Sequence, residues 1–403
     1  MSVSIQDDVT LEEKTQWVSV IVLWLIGIFA AMQFAKFSIS YEVLIQNYKV
    51  SSASIGTLLS IVGMVGLVFG VVAGVLSGKL GYRRVLISAL IIGCGLSLFQ
   101  STLPAYNWML ASRVLEGISH LGLVVVAPTL MLRFSAPNHH SLVMGVWGTF
   151  FGVAFAVSGW LGSMILNLSG LSGLSLSHAA ISIPLLVYVW FFTSEDRAEV
   201  TPSKVIVLSD LIKSTLQVYL NPRTCLPGVI FFFHTSMFIA FLTFVPRLTD
   251  DDEVRNALLI LLPVVSILGT FLAGFLSQYL LRPPSLVFFA YLGVLLTTYS
   301  TIQLQGSSEY FVLSAVLLLL ISGIVQGASF TLIPFLSENE YQQAMGNGAI
   351  AQLGNLGATV GVPIFAFAMV SSVDYGFLFV VTGLCMAGCV VALFLKKYQE
   401  HTV

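Results

Sequence analysis

The sequence predicts an all-α integral membrane protein with twelve transmembrane helices in two pseudo-symmetric six-helix bundles. Three observations carry that expectation. The 403 residues are 57% hydrophobic and only 9% charged, with a mean hydropathy of +0.94, more apolar than the surface of a water-soluble domain of this length tolerates. Crossing the hydrocarbon core takes about twenty apolar residues, and twelve such runs follow one another along the chain. The halves also echo each other. Gly274-Phe-Leu-Ser277 follows the eighth run as Gly74-Val-Leu-Ser77 follows the second, and Met345-Gly346 opens the eleventh as Met144-Gly145 opens the fifth. Such a parallel repeat places a substrate at the interface of the halves, near mid-membrane.

In order, the runs cover 17–40, 53–76, 84–103, 107–131, 142–166, 177–193, 227–246, 256–279, 285–304, 310–334, 344–370 and 375–395. Residues 1–16, with Asp7, Asp8, Glu12 and Glu13 and no basic start, read as a cytoplasmic tail and not as a cleaved signal peptide. The division that follows is a first bundle at 17–193, a linker at 194–226, a second bundle at 227–395 and a tail at 396–403. With the amino terminus inside, the cytoplasmic side collects Lys14, Lys79, Arg83, Arg84, Arg133, Arg197, Lys204, Lys213, Arg223, Arg282, Lys396 and Lys397, while Lys49, Arg247 and Arg255 fall outside. That bias puts both termini in the cytoplasm. The linker mixes Glu195, Asp196, Arg197, Glu199, Lys204, Asp210, Lys213 and Arg223 with Pro202 and Pro222, and includes a short surface helix. Asp250-Asp251-Asp252-Glu253 reads as a solvated outer loop, because adjacent aspartates do not present converging oxygens to a metal. Cys94, Cys225, Cys385 and Cys389 lie in or beside apolar runs, where disulfides are not expected.

Between the second and third runs lies Gly74-Val-Leu-Ser-Gly-Lys-Leu-Gly-Tyr-Arg-Arg-Val-Leu86, a tight basic turn. Gly74 lets helices approach, Gly81 allows the turn, and Lys79, Arg83 and Arg84 stay in water. The pattern resembles the signature loop of the major facilitator superfamily, with Gly78 where that family carries an acidic residue. The resemblance implies the major facilitator fold and a gating role for Gly74, Gly78, Lys79, Gly81, Arg83 and Arg84, and a latch that works without a carboxylate. The second copy is degenerate, with Gln278 and Leu281 at the acidic and glycine places.

An ionisable group at mid-bilayer costs roughly 2.5–3.5 kcal/mol on insertion scales, so each one should face a cavity or a partner. Arg113, Glu116 and His120 on the fourth run are three and four residues apart and form one stripe. Two readings stay open for it. In one, Arg113 and Glu116 neutralise each other and stitch helices together. In the other, Arg113 binds an anionic or carbonyl-bearing substrate while Glu116 or His120 takes up a proton. Gln33 and Lys36 share a face of the first run, and Lys36 either lines a cavity or snorkels. Lys36 lies 38 residues before Gly74, and His234 lies 40 before Gly274. The family resemblance implies that helices 1, 4, 7 and 10 line the cavity, so Lys36, Arg113 and His234 would make it electropositive. Gln326, Gln352 and Asn355 join the candidates as substrate partners or as helix–helix glue. Phe29, Phe34, Phe37, Phe238, Phe241 and Trp147 are available for stacking or for packing. Glycine-rich faces on the fifth and eleventh runs suit helices that slide as the halves rock.

The function that follows is a secondary active transporter moving a small organic solute by alternating access, with protons as candidate coupling ion. No Gly-x-x-x-x-Gly-Lys-Ser/Thr loop is present to bind ATP. Pro128 and Gly145-Val-Trp147-Gly148-Thr149 are weakly similar to the cyanate and nitrate-type permease branch. Alternatives are a proton-driven exporter of amphipathic compounds, uptake of a neutral vitamin-like heterocycle, and a receptor or intramembrane enzyme on the same fold. The fifth run lacks the Gly-Pro pair of many drug/proton antiporters. Expected partners are the lipid bilayer and a small-molecule substrate. No nucleic acid, cofactor or metal is expected, and the unit is a functional monomer in a bacterial inner membrane.

Overall fold

In hydrocarbon every backbone N–H and C=O must be paired within the chain, which leaves the helix as the open solution for long apolar runs. The computed structural model describes residues 14–192, 208–305, 308–370 and 372–400, and among them there are helices and no strands. The first half holds α1 (Trp17–Ile39), α2 (Tyr41–Tyr48), α3 (Ser52–Leu80), α4 (Tyr82–Ser101), α5 (Tyr106–Arg133), α6 (His140–Gly148), α7 (Phe150–Val157) and α8 (Ser163–Phe192). After α9 (Leu208–Leu220) come α10 (Pro222–Phe244), α11 (Asp252–Tyr279), α12 (Pro283–Gln303), α13 (Ser308–Leu336), α14 (Glu340–Ala368) and α15 (Val373–Glu400). The predicted linker residues from Glu195 to Lys204 lie outside the described residues, as do the tail acids from Asp7 to Glu13.

Among the described residues eleven helical segments are long and apolar enough to cross a membrane, and one of them, Pro137–Phe191, has 55 residues, enough for two crossings. Its reversal is at Gly170, where φ is 67° and ψ is −170°. Leu174 comes within 3.6 Å of where a Cβ on Gly162 would sit, whereas an unbroken helix would hold those residues about 18 Å apart. The sequence left 167–176 outside any span because it is rich in Ser and Gly. It is helical on both sides of Gly170 because its hydroxyls bond to nearby carbonyls, Ser169 to Ile165 at 2.9 Å, Ser177 to Gly173 at 2.9 Å and Ser172 to Ser101 at 2.6 Å.

Two further boundaries differ from the sequence expectation. The turn between the second and third spans is far tighter than 77–83. Ser77 to Leu80 continue α3, and α4 starts at Tyr82, so the reversal falls on Gly81 alone, at φ 92°. Only glycine adopts that conformation cheaply. The seventh span starts at Pro222, not 227, since Asn221 caps the N–H of Arg223 at 3.0 Å and a first-turn proline costs no hydrogen bond.

Among the described residues four apolar clusters form, and the two largest each centre on one half, the first also taking in Phe330, Ile333, Ala344 and Ile350 from the second. One gathers α1 and α4–α8 around Phe29, Leu90, Leu123 and Trp147, and the other gathers α10–α15 around Phe241, Tyr291, Phe311 and Phe377. The halves meet backbone to backbone at the end where α1 begins and α15 ends. A Cβ on Gly145 would lie 2.5 Å from Gly274 Cα, one on Gly74 2.5 Å from Ala344 O, and one on Gly348 2.5 Å from Gly70 O. Beyond that level they part: residues 343–350 of α14 are all buried and 351–360 mostly half-exposed, and full burial in α6 and α7 gives way after Phe150.

Candidate functional site

Where the halves part they enclose a cavity of about 300 Å³. Seven aromatic side chains line it: Phe34 of α1, Trp147 of α6, Phe150 and Phe151 of α7, Phe231 and Phe238 of α10, and Phe330 of α13. Two are seated by glycines. A Cβ on Gly27 would come within 2.6 Å of the Trp147 ring, and one on Gly354 within 2.5 Å of Phe231. Trp147 stacks on Phe150 at 4.5 Å, and Phe231 leans on Phe330 at 5.3 Å. Such walls hold a flat apolar face through dispersion and offset stacking.

The polar lining comes from both halves: His120 on α5, His234 and Thr235 on α10, Gln326 on α13, and Asn347 and Asn355 on α14. Among the described residues no Asp, Glu, Lys or Arg lines the cavity. His120 packs edge-on to Phe34 at 4.9 Å, with its Nδ1 2.9 Å from Ala30 O. Gln326 Nε2 donates to Gly148 O at 3.1 Å, Asn355 Nδ2 to Ala351 O at 2.7 Å, and Asn347 Nδ2 to Thr129 Oγ1 at 3.2 Å. Thr235 gives its hydroxyl proton to Phe231 O at 3.0 Å. His234 stacks on Phe238 at 5.3 Å and lies 3.4 Å from Ser322 Oγ. Its Nε2, and Asn347 Oδ1, are buried without a partner.

The intramembrane charges sit elsewhere, sealed inside the first half. Lys36 Nζ lies 2.6 Å from Glu116 Oε1 and Arg113 NH1 2.5 Å from Glu116 Oε2, and Gln100 Nε2 donates to Oε2 at 2.9 Å. Arg113 and Glu116 are 0% exposed and Lys36 2%. Arg113 also donates to the carbonyls of Leu58 at 3.1 Å and Gln33 at 2.7 Å, with its guanidinium 4.1 Å from the Phe37 ring centre. Lys36 donates to Ser97 Oγ at 3.1 Å, and Ser97 pairs with His178 Nδ1 at 2.7 Å. One carboxylate thus answers two cations from two helices, while α3, α4 and α8 supply hydrogen bonds that repay part of the desolvation cost.

Of the residues singled out from sequence, His120, His234, Gln326 and Asn355 come together at the cavity, and Gln33, Lys36, Arg113, Glu116 and Gln352 do not. The physical reason is pairing. Arg113 is 0% exposed, with Nε and NH1 committed to Glu116 and two carbonyls and NH2 buried without a partner, so no face of it reaches a solute and the wall is not electropositive. Gln33 donates to Ser119 Oγ at 3.1 Å. Gln352 sits where the halves meet, its Oε1 accepting from Val71 N at 3.1 Å and Tyr219 OH at 2.8 Å. Phe34, Phe238 and Trp147 line the cavity, while Phe29, Phe37 and Phe241 are buried outside it. Sequence reading passed over Phe150, Phe151, Phe231, Phe330 and Thr235 at the wall, and Ser97, Gln100 and His178 in the ion cluster. For the last three a signal existed: polar residues inside apolar runs, with Ser97 and Gln100 one helical turn apart.

At the closed end, Gly74 and Gly78 both lie against α14. A Cβ on Gly78 would meet the Tyr341 ring at 2.4 Å, which leaves no room for the acidic side chain usual at that place. Arg133 of α5 reaches across the interface to Glu340 of α14, Nε to Oε1 at 2.7 Å and NH2 to Oε2, while stacking over Tyr82 at 5.4 Å. Arg83 instead stays within its half, donating to Trp190 O at 2.6 Å. Lys79 is half-buried, and Arg84 is exposed.

Two helical halves that join at one end and part around a central cavity define a polytopic membrane transporter. The chain belongs to the Major Facilitator Superfamily, whose model matches residues 23–362. It is 26% identical over 182 residues to a gallate transporter of Pseudomonas putida, covering 45% of this chain and 40% of that protein. It is 25% identical over 177 residues to the 4-hydroxybenzoate transporter PcaK of Pseudomonas aeruginosa, covering 44% and 39%. The matched stretch therefore spans about two fifths of the length of these relatives. In fold, the chain is similar to the proton:xylose symporter XylE (TM-score 0.71, 14% identity, 95% of each chain) and to the E. coli fucose:proton symporter FucP (TM-score 0.72, 13% identity, 93% of this chain and 99% of that one). The human organic anion transporter MFSD10 shares it as well (TM-score 0.70, 16% identity, 93% and 98%).

Proposed function

We propose that this secondary transporter moves a small, flat aromatic solute between the two sides of the membrane by alternating access. One observation carries the reading: a cavity built by both halves is lined by seven aromatic side chains, Phe34, Trp147, Phe150, Phe151, Phe231, Phe238 and Phe330, and by no formal charge. The similarity to carriers named for gallate and 4-hydroxybenzoate supports it. The excess of cations at the end where the halves meet supports a cytoplasmic reading of that end, under which the conformer described is closed inward. Lys36, Glu116 and Arg113 brace α1 against α5. His120, whose Nε2 keeps a free lone pair, is the cavity group placed to exchange a proton as solute binds.

The experiment is a thermal-shift and Trp-fluorescence binding screen of purified protein, with Trp147→Phe as control, followed by proteoliposome uptake with and without a pH gradient. Flat one-ring compounds are expected to bind saturably, and Phe231→Ala to weaken them by about tenfold or more. Equal binding of aliphatic solutes or sugars of the same size would refute the aromatic reading.

A further inference from the structure

The hydrogen-bonding direction of the cavity wall is set by partners that can act only as acceptors. Ala30 O accepts at His120 Nδ1, so Nδ1 carries the proton and Nε2 is left as an acceptor in the neutral ring. Gly148 O and Ala351 O accept from Gln326 and Asn355, which turns each amide nitrogen to the wall; Gln326 also hydrogen-bonds to His234, while Asn355 Oδ1 keeps its lone pairs. Thr129 has committed its own proton to Val125 O at 3.1 Å. It therefore meets Asn347 as an acceptor, and the Asn347 nitrogen must face it. The His120, Gln326 and Asn355 assignments cannot be reversed without setting two acceptors against each other, and that of Asn347 holds while Thr129 keeps its proton on Val125 O.

The cavity thus carries unspent acceptors from α5 and α14. One of them, Asn347 Oδ1, sits on a side chain only 2% exposed and has no partner. A buried acceptor left unpaired is costly, and a ligand donor removes that cost. A carboxylate brings only acceptors, and the lining holds no cation to receive it.

We infer that the cavity selects by hydrogen-bond polarity: it takes an aromatic ring bearing hydroxyl or N–H donors and recognises it by those donors, not by a carboxylate. The inference rests on the proposed aromatic-transport reading and adds to it which edge of the solute is read.

Four probes of similar size separate the two. Resorcinol has a ring and donors; 1,3-dimethoxybenzene has the ring without donors; benzoate has the ring and an anionic acceptor; cyclohexane-1,3-diol has donors without a flat ring. By titration calorimetry on the reconstituted protein, resorcinol is expected to bind about tenfold or more tighter than each of the others. Asn347→Leu should lower resorcinol affinity and leave dimethoxybenzene unchanged, and should that variant fail to fold, the four-probe series on the native protein still decides. Benzoate or dimethoxybenzene binding as tightly as resorcinol overturns the polarity inference and leaves the aromatic reading standing. Cyclohexane-1,3-diol matching resorcinol overturns the aromatic reading instead, and binding of none of the four overturns both.

Discussion

Replacing Glu116 with Gln tests whether the buried charges brace the first half or serve the solute. The side chain is 0% exposed, and its two oxygens lie 2.6 Å from Lys36 Nζ and 2.5 Å from Arg113 NH1. Glu116→Gln strands two cations in a fully buried site, and breaking a buried pair in this way costs roughly 3–5 kcal/mol. Lys36→Met leaves Arg113 and Glu116 balanced and fills the same volume, so its cost should be on the order of 1 kcal/mol. Adding Lys36→Met to Glu116→Gln leaves one stranded cation in place of two, and should recover part of the loss. The assay is thermal unfolding of the purified variants followed by intrinsic fluorescence, paired with solute binding on each. The expected order of melting temperature is wild type, Lys36→Met, the double variant, then Glu116→Gln, with solute affinity in Lys36→Met unchanged. A Glu116→Gln protein that melts like wild type but no longer binds solute would refute the bracing role.

Other outcomes follow from the closed end and the wall. Gly78→Asp should disfavour closure, because the new Cβ would meet the Tyr341 ring at 2.4 Å, and Tyr341→Ala should restore it, both read by cysteine labelling of cavity positions. Gly145→Val places side-chain atoms against the backbone of Gly274, which cannot rotate away, so uptake should be lost while the protein still assembles in the membrane. Reversing the pair with Arg133→Glu and Glu340→Arg together should recover transport that either change alone reduces. For a partly exposed pair the effect should be about 1 kcal/mol on the closed state. Tyr219→Phe removes the hydroxyl that α9 gives to Gln352, and should raise labelling from the basic end if α9 braces the closed halves.

The span count, the gathering of cations at one end and the repeat were legible because they depend on composition and spacing. Those are the quantities a bilayer acts on directly: apolar length, and which residues stay in water. Gly170 was not legible as a reversal, since its flanking serines look like loop formers until their hydroxyls are seen bonded to nearby carbonyls. His120, His234, Gln326 and Asn355 could be found because a polar residue in an apolar run must face something. What each faces is a different matter. Arg113 and Glu116 share a stripe with His120, yet they end among α1, α3 and α4 while His120 ends at the cavity.

Sequence by itself therefore determined that this is a twelve-span helical membrane protein of repeated halves, and which side chains were too costly to leave in lipid. Tertiary structure alone decided which of those side chains satisfy one another and which are left for a solute. The reason is that Glu116 finds residue 36 on one other helix and residue 100 on a second, and Asn347 finds residue 129 in the opposite half. Such pairings depend on how helices rotate and approach, which no single helix encodes.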